Sequence, residues 1–335
     1  MLYKNHLPSI GLGLLMLLLL PVLLASCTMP NAFKEHAEFI QREVIDNPEI
    51  SAAAIQTDKL SLAYHYVGVA NKATVVWIHG TPGGWSDIGR LLVDKDFLQD
   101  IKLVSIDRPG WGASQPLNSS EVYPSFDQQS YFISPLLVQL KAQHPDVPLL
   151  LAGHSWGGSL APFIAADNPE IVDGVLVLAG GLSAKLTKPR WYNKLARFWP
   201  IKALIGDDFR QSNIEMYALS ANLNDLDSRW QELADMPMVV VQGGKDPLVN
   251  PANADYIESI LKNLSAQTVA EQAVWHKVLR KPDYGHLLQI KHTDLIAGCV
   301  FSLVEKNTPD NNEPNNVGLN KTVFHTPQLD KSDCS

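Results

Sequence analysis

Five residues near the middle of the chain, Gly153-His154-Ser155-Trp156-Gly157, carry its strongest chemical signal. A serine hydroxyl is a weak nucleophile until a base takes its proton. Glycines two residues before and two after Ser155 suit a turn so sharp that a Cβ there would strike neighbouring backbone. The apolar run Val147 to Ala152 precedes the motif, and a helical pattern from Gly157 to Asp167, ended by Pro169, follows it. Ser155 is therefore expected at a strand-to-helix junction, with its hydroxyl at the helix N-terminus, where the dipole favours negative charge. The chemistry this predicts is nucleophilic attack on an acyl carbon.

A base and an orienting acid are expected later in the chain, acid first. Among the downstream histidines, His276 falls within a predicted strand, His292 on a helix and His325 in the tail. His286 falls in the loop Asp283-Tyr284-Gly285-His286, past the last predicted strand, from which it can reach Ser155; it is the expected base. His154 is expected to pack rather than to catalyse. The acid should stand at the end of a strand, and Val239-Val240-Val241-Gln242-Gly243-Gly244-Lys245-Asp246 supplies Asp246. Asp283 is the alternative, with helix capping as its simpler role. Acyl transfer also needs donors for a developing oxyanion. The N–H groups of Trp156 and Thr81 are expected to provide them, Thr81 from the loop His79-Gly80-Thr81-Pro82-Gly83-Gly84, which His79 would orient.

These residues need a scaffold that brings several strand ends together. Leu60 to Gly68, Thr74 to Ile78, Ile101 to Ile106, Val147 to Ala152, Val175 to Ala179, Met238 to Val241 and Ala273 to Leu279 read as strands, with helical patterns at Gln128 to Gln143, Gly157 to Asp167, Ala252 to Leu264 and His286 to Val304. Short apolar strands alternating with helices predict a parallel sheet covered on both faces. The expected organisation is a core of residues 52–181 and 236–306, a helical cap of residues 182–235, and a polar, disordered tail at 307–335.

Taken in order, the His79 to Gly84 loop, Asp107-Arg108-Pro109-Gly110-Trp111-Gly112, Gly153 to Gly158, Gly244-Lys245-Asp246-Pro247 and Gly285-His286 resemble the α/β-hydrolase superfamily across roughly Ser61 to Glu305. The resemblance implies an α/β fold with an eight-stranded, mostly parallel sheet and a cap over the site. It makes Asp107 to Gly112 a structural turn beside the pocket. Haloalkane dehalogenases and epoxide hydrolases of this fold carry Asp where Ser155 stands, so the serine disfavours those activities. The Pro82-Gly83-Gly84 loop and the Ser155-Trp156 pair are similar to proline iminopeptidases, whereas Arg108-Pro109 departs from their usual Gln-Arg. The expected activity is hydrolysis of a small carboxylic ester, with an aminopeptidase or amidase, or a silent binding protein, as alternatives. No organic cofactor or metal is expected.

Lys4 followed by the apolar stretch Ile10 to Leu24 reads as a signal segment, residues 1–26. Leu24-Ala25-Ser26-Cys27 resembles a bacterial lipobox, which implies a lipid on Cys27, membrane attachment through it, and a place in the cell envelope, at the periplasmic face of the outer membrane. Residues 27–51 would form a tether and a first helix. A formal charge of −8 disfavours nucleic acid as a partner. Cys299 is expected as a buried apolar residue of the last helix and Cys334 as an exposed thiol, with a disulfide between them in an oxidising compartment as the less favoured alternative. Between Lys185 and Lys202 six cations and no acid alternate with Trp191, Tyr192, Leu195, Phe198 and Trp199. The simpler expectation places the aromatic face on the substrate pocket and the cations in water; the alternative is contact with a lipid surface.

Overall fold

The structure, a computed structural model, describes residues 31–117, 121–267, 275–307 and Cys334. The signal segment and Cys27 lie outside the described residues, as does nearly all of the expected tail. Of the described residues, 31–46 belong to one compact unit, in which α1 (Asn31–Glu43) is a helix, and those from Asn47 onward belong to another.

The second unit is built on one sheet of eight strands: β1 (Ser51–Gln56), β2 (Ser61–Val67), β3 (Ala73–Ile78), β4 (Ile101–Ile106), β5 (Leu149–His154), β6 (Gly174–Leu178), β7 (Met238–Gly243) and β8 (His276–Lys281). Their spatial order is β1-β2-β4-β3-β5-β6-β7-β8. β2 pairs antiparallel with β1 and β4, and every pairing from β4 to β8 is parallel. Every residue of β3, β5, β6 and β7 is buried, which explains why these strands read as unbroken apolar runs. β1 was not among the expected strands. Its sequence, Ser-Ala-Ala-Ala-Ile-Gln, has low β-propensity and is largely exposed at the sheet edge. It is a strand because a short turn, closed by Thr57 N–H to the Leu60 carbonyl (2.9 Å), folds it onto β2.

The helices that follow are α2 (Lys95–Leu98), α3 (Phe126–Gln143), α4 (Trp156–Asp167), α5 (Trp191–Leu195), α6 (Trp199–Leu204), α7 (Asp207–Asp227), α8 (Asn253–Gln267), α9 (Leu288–Lys291) and α10 (Thr293–Asn307). α4 is buried from Trp156 to Ala166, so it is apolar almost all round, as a fully enclosed helix must be. Its Leu160, Phe163 and Ile164 share one core with Phe132 and Leu136 of α3 and Leu219, Leu223 and Leu226 of α7. Helices α5, α6 and α7, followed by a 3-10 helix at Trp230–Leu233, are inserted between β6 and β7. Among the described residues no helix is long and apolar enough to cross a membrane.

Two expectations are corrected here. Cys334 is not an exposed thiol: it is buried and joined to Cys299 of α10 by a disulfide. Nor do the aromatic residues of α5 and α6 turn inward as a group. Trp191, Phe198 and Trp199 face solvent at 70%, 62% and 78% exposure, and only Tyr192 lines the cavity above Ser155.

Candidate active site

β5 ends at His154 and α4 begins at Trp156, so Ser155 alone makes the turn between them. It does so with φ of 55° and ψ of −118°, a left-handed conformation that a side chain adopts only when its surroundings enforce it. Those surroundings are tight. A Cβ on Gly157 would lie 2.2 Å from the Ile78 carbonyl oxygen, and one on Gly153 would lie 2.3 Å from that of Gly157. Glycine at both positions lets β3, the turn and α4 approach one another. The Ser155 N–H donates across to Leu178 of β6 at 2.8 Å, which ties the turn to the sheet.

The loops after β7 and β8 bring the other two groups to this turn. Gly244 N–H donates to Lys281 and Lys245 N–H to Tyr284, so the two loops run against each other. A Cβ on Gly243 would lie 2.5 Å from the Tyr284 carbonyl oxygen, so the close approach needs glycine there too. The result is a linear chain of side chains. Ser155 Oγ donates to His286 Nε2 at 2.9 Å, and His286 Nδ1 donates to Asp246 Oδ2 at 2.8 Å. Asp246 Oδ1 accepts from the N–H groups of Leu248 (2.8 Å) and Val249 (2.9 Å), and Gln242 Nε2 reaches Oδ2 at 3.3 Å. Burial pushes the Asp246 carboxyl up, but the His286 hydrogen bond and charge and the two backbone donors outweigh it and hold the group below its ordinary value. Asp246 is thus an anion that fixes the His286 proton on Nδ1 and leaves Nε2 as an acceptor.

The alternatives fall away on geometry. Asp283 is exposed and pairs with Lys245 at 2.6 Å. His276 bonds the Met236 carbonyl at 3.1 Å, and His292 stacks on Tyr284. His154 is buried, its Nε2 donates to the His286 carbonyl at 2.8 Å, and burial together with His286 drives its pKa down to about 3. It packs, as expected, and also steadies the backbone of His286.

Thr81 and Trp156 both line the cavity beside Ser155. Trp156 opens α4, so its N–H has no acceptor within the helix. The loop carrying Thr81 is held from below. His79 uses both ring nitrogens on backbone, donating from Nδ1 to the Gly80 carbonyl (2.8 Å) and accepting at Nε2 from Arg108 N–H (3.0 Å). Burial first, then the Arg108 charge, keep this imidazole neutral, with its pKa well below the ordinary value. Asp107 is a turn residue, accepting from the N–H groups of Trp85 (3.0 Å) and Ala113 (2.9 Å).

One group of functional interest was not foreseen. Arg108 is fully buried, donates from Nε to the His79 carbonyl and from Nη2 to the Gly80 carbonyl, and lies over the Trp156 ring at 4.2 Å. Its charge is met by Glu215 of α7, which takes two hydrogen bonds from the guanidinium at 2.8 and 3.0 Å and a third from Trp111 Nε1 at 2.8 Å. The sequence does hold a trace of this. Glu215 falls on the same face of α7 as Ser212, Leu219, Asn222, Leu223 and Leu226, and a carboxylate on a buried face needs a cation.

Above Ser155 is a cavity of about 560 Å³, a size that can enclose a small organic ligand. Leu186, Ile205, Phe209, Met216, Leu219 and Val249 supply apolar wall, and Lys188 and Arg190 are the charged residues in it. No carboxylate is among its described lining residues.

Comparison with known proteins bears on the fold. The profile of the serine aminopeptidase family S33 matches residues 69–228, just under half of the chain. Epoxide hydrolase 4 of the mouse is 29% identical over 122 residues, 35% of this chain and 31% of that protein. The chain thus spans about a third of the length of the curated relative it matches. A bacterial membrane phospholipase A superposes with a TM-score of 0.55 at 18% identity, over 89% of this chain and 99% of its own. A thermophilic esterase superposes with a TM-score of 0.52 at 17% identity, over 77% and 98%. At such identities the structural likeness fixes the fold, and the fold is that of the α/β-hydrolases.

Proposed function

We propose that this chain, a serine hydrolase of the α/β-hydrolase superfamily, cleaves a small carboxylic ester through an acyl-enzyme. The observation that carries the reading is the hydrogen-bonded series Ser155–His286–Asp246, which opens into a cavity with no carboxylate among its described lining residues. His286 Nε2 takes the Ser155 proton as Oγ bonds to the ester carbonyl carbon. The carbonyl oxygen becomes an oxyanion facing the N–H groups of Trp156 and Thr81. As the ester C–O bond breaks, His286 returns the proton to the departing alkoxide, leaving Ser155 acylated. Water then adds to the acyl carbon as His286 Nε2 takes its proton, the bond from that carbon to Ser155 Oγ breaks, the proton passes to Oγ, and the carboxylic acid leaves. Throughout, Asp246 faces the imidazolium.

The cavity favours an ester over the aminopeptidase alternative. A substrate ammonium needs a buried anion, and Glu215, a buried carboxylate on α7, is already bound to Arg108 and Trp111. Lys188 and Arg190 would repel an ammonium further. The test compares p-nitrophenyl esters with amino-acid p-nitroanilides, together with covalent labelling by a fluorophosphonate probe. Esters should turn over at least tenfold faster, and Ser155→Ala should lose both turnover and labelling. Preferred hydrolysis of anilides, or normal ester turnover by the alanine variant, overturns the reading.

A further inference from the structure

The surface beside the cavity mouth has a composition that the proposed chemistry does not use. From Lys185 to Gly206 there are six cations, Lys185, Lys188, Arg190, Lys194, Arg197 and Lys202, and no carboxylate. All six are exposed, and none makes an ion pair among the described residues. Among them stand Trp191, Phe198, Trp199 and Leu204, the last 85% exposed. Phe209, at the start of α7, and Leu248 continue the apolar surface. Helix α6 buries none of its residues. A helix of this length gains its stability from packing rather than propensity, so a solvated one lacks the usual reason to form.

We propose that this face docks on an anionic phospholipid bilayer and that the enzyme draws a lipophilic ester from it. Charge complementarity selects this occupant. The chain as a whole is acidic, at −8, so the basic cluster is a local feature and not a consequence of overall composition. Lysines interleaved with tryptophan and phenylalanine suit a headgroup layer, where the rings enter the interface and the cations meet phosphate. The arrangement also joins the face to the catalytic cavity. Lys188, Arg190, Tyr192, Ile205, Phe209 and Leu248 belong both to this region and to the cavity wall. A bilayer seated on α5 and α6 would therefore lie against the entrance that leads to Ser155. The choice of substrate rests on the ester-hydrolase reading; the docking itself does not.

The test floats the full chain with vesicles of phosphatidylcholine, with and without phosphatidylglycerol, beside Phe198→Ser/Trp199→Ser and Lys194→Glu/Lys202→Glu variants. The N-terminal segment is common to all three proteins, so differences report the face. Each lysine near an anionic surface strengthens binding about fivefold, so the double charge reversal should weaken binding to the anionic vesicles by at least ~25-fold. The aromatic variant should weaken binding to both compositions. Hydrolysis of a long-chain ester carried in the vesicles should fall in parallel, while that of a water-soluble short-chain ester stays at the parent rate. Variants that float like the parent overturn the proposal. So does a parent that self-associates by sedimentation, with monomeric variants and unchanged vesicle binding, because the face would then join two copies. If the variants lose flotation but even the parent hydrolyses no ester, the docking surface stands and the ester reading fails.

Discussion

Replacing Asp246 by Asn tests the proposed roles with the least disturbance to shape. The carboxylate has two jobs that an amide cannot do together. Oδ1 accepts from Leu248 and Val249 N–H, and Oδ2 accepts from His286 Nδ1. An amide oxygen placed at the Oδ1 position keeps both backbone donors satisfied and turns the NH2 group toward His286. The opposite orientation sets two backbone N–H groups against an NH2 group, at about 1–3 kcal/mol for each unsatisfied donor. The first orientation therefore wins. Facing a donor, His286 must accept at Nδ1, so its proton moves to Nε2, the atom that has to receive the proton of Ser155. Loss of the correct tautomer lowers kcat by about 10⁴ in a serine triad, equivalent to ~5.5 kcal/mol of barrier. Initial rates on a short-chain p-nitrophenyl ester, with thermal unfolding as a control, measure both effects. A variant that unfolds at the parent temperature and keeps more than a tenth of kcat would refute the role given to Asp246.

Two further substitutions test the surroundings. Glu215→Gln removes the charge that faces Arg108, which is fully buried, and breaking a buried pair on one side costs about 3–5 kcal/mol. The unfolding free energy from urea titration should fall by that amount, with the midpoint moving to lower concentration, and kcat should fall with it; an unchanged midpoint would sink the anchoring role of this pair. Asp87, close to Gly83 of the Thr81 loop, has its carboxyl pushed up to about 7: burial raises it most, the Gly84 backbone and Arg108 oppose, and Asp107 adds to the rise. Its folded form keeps a proton that the unfolded chain releases near the ordinary 3.8. Stability should thus fall as pH rises from about 4 to about 7 and level off above, since the folded state binds more protons in that window. Asp87→Asn removes this slope, so its stability relative to the parent should be higher at pH 8 than at pH 4. Equal differences in thermal unfolding at both pH values would contradict the assignment.

What was legible in the sequence follows what is local. β3, β5, β6 and β7 are buried on both faces and so appear as plain apolar runs, and Ser155 and Asp246 sit a few residues beyond the end of such a run. His286 follows β8, which is only half-buried, and could be named from its loop instead; the structure brings all three into one hydrogen-bonded line. β1 was hidden because its pairing with β2, not its alanines, makes it a strand. The spacing of Trp191, Phe198 and Trp199 showed a helical region with aromatic content but could not say which way it turned. The pairing of Cys299 with Cys334 could be left only as an open alternative, because the partner stands 35 residues further on in a polar stretch.

The Arg108–Glu215 pair shows how the parts depend on one another. The hydrogen-bonded line of Ser155, His286 and Asp246 belongs to the sheet, through loops after β5, β7 and β8, whereas much of the cavity wall belongs to α5, α6 and α7. Arg108 lies between them. It holds the carbonyls of His79 and Gly80, immediately before Thr81, and it packs on the ring of Trp156. Both proposed oxyanion donors are therefore backed by one guanidinium, whose countercharge sits on α7. A shift of α7 that pulls Glu215 away strands a buried cation beneath the oxyanion site, a penalty of several kcal/mol. Residues of the insertion that face the cavity or solvent carry no such penalty. Changes at Phe209 or Met216 should alter which substrate fits while leaving the acyl-transfer machinery in place, and a change at Glu215 should damage the machinery itself.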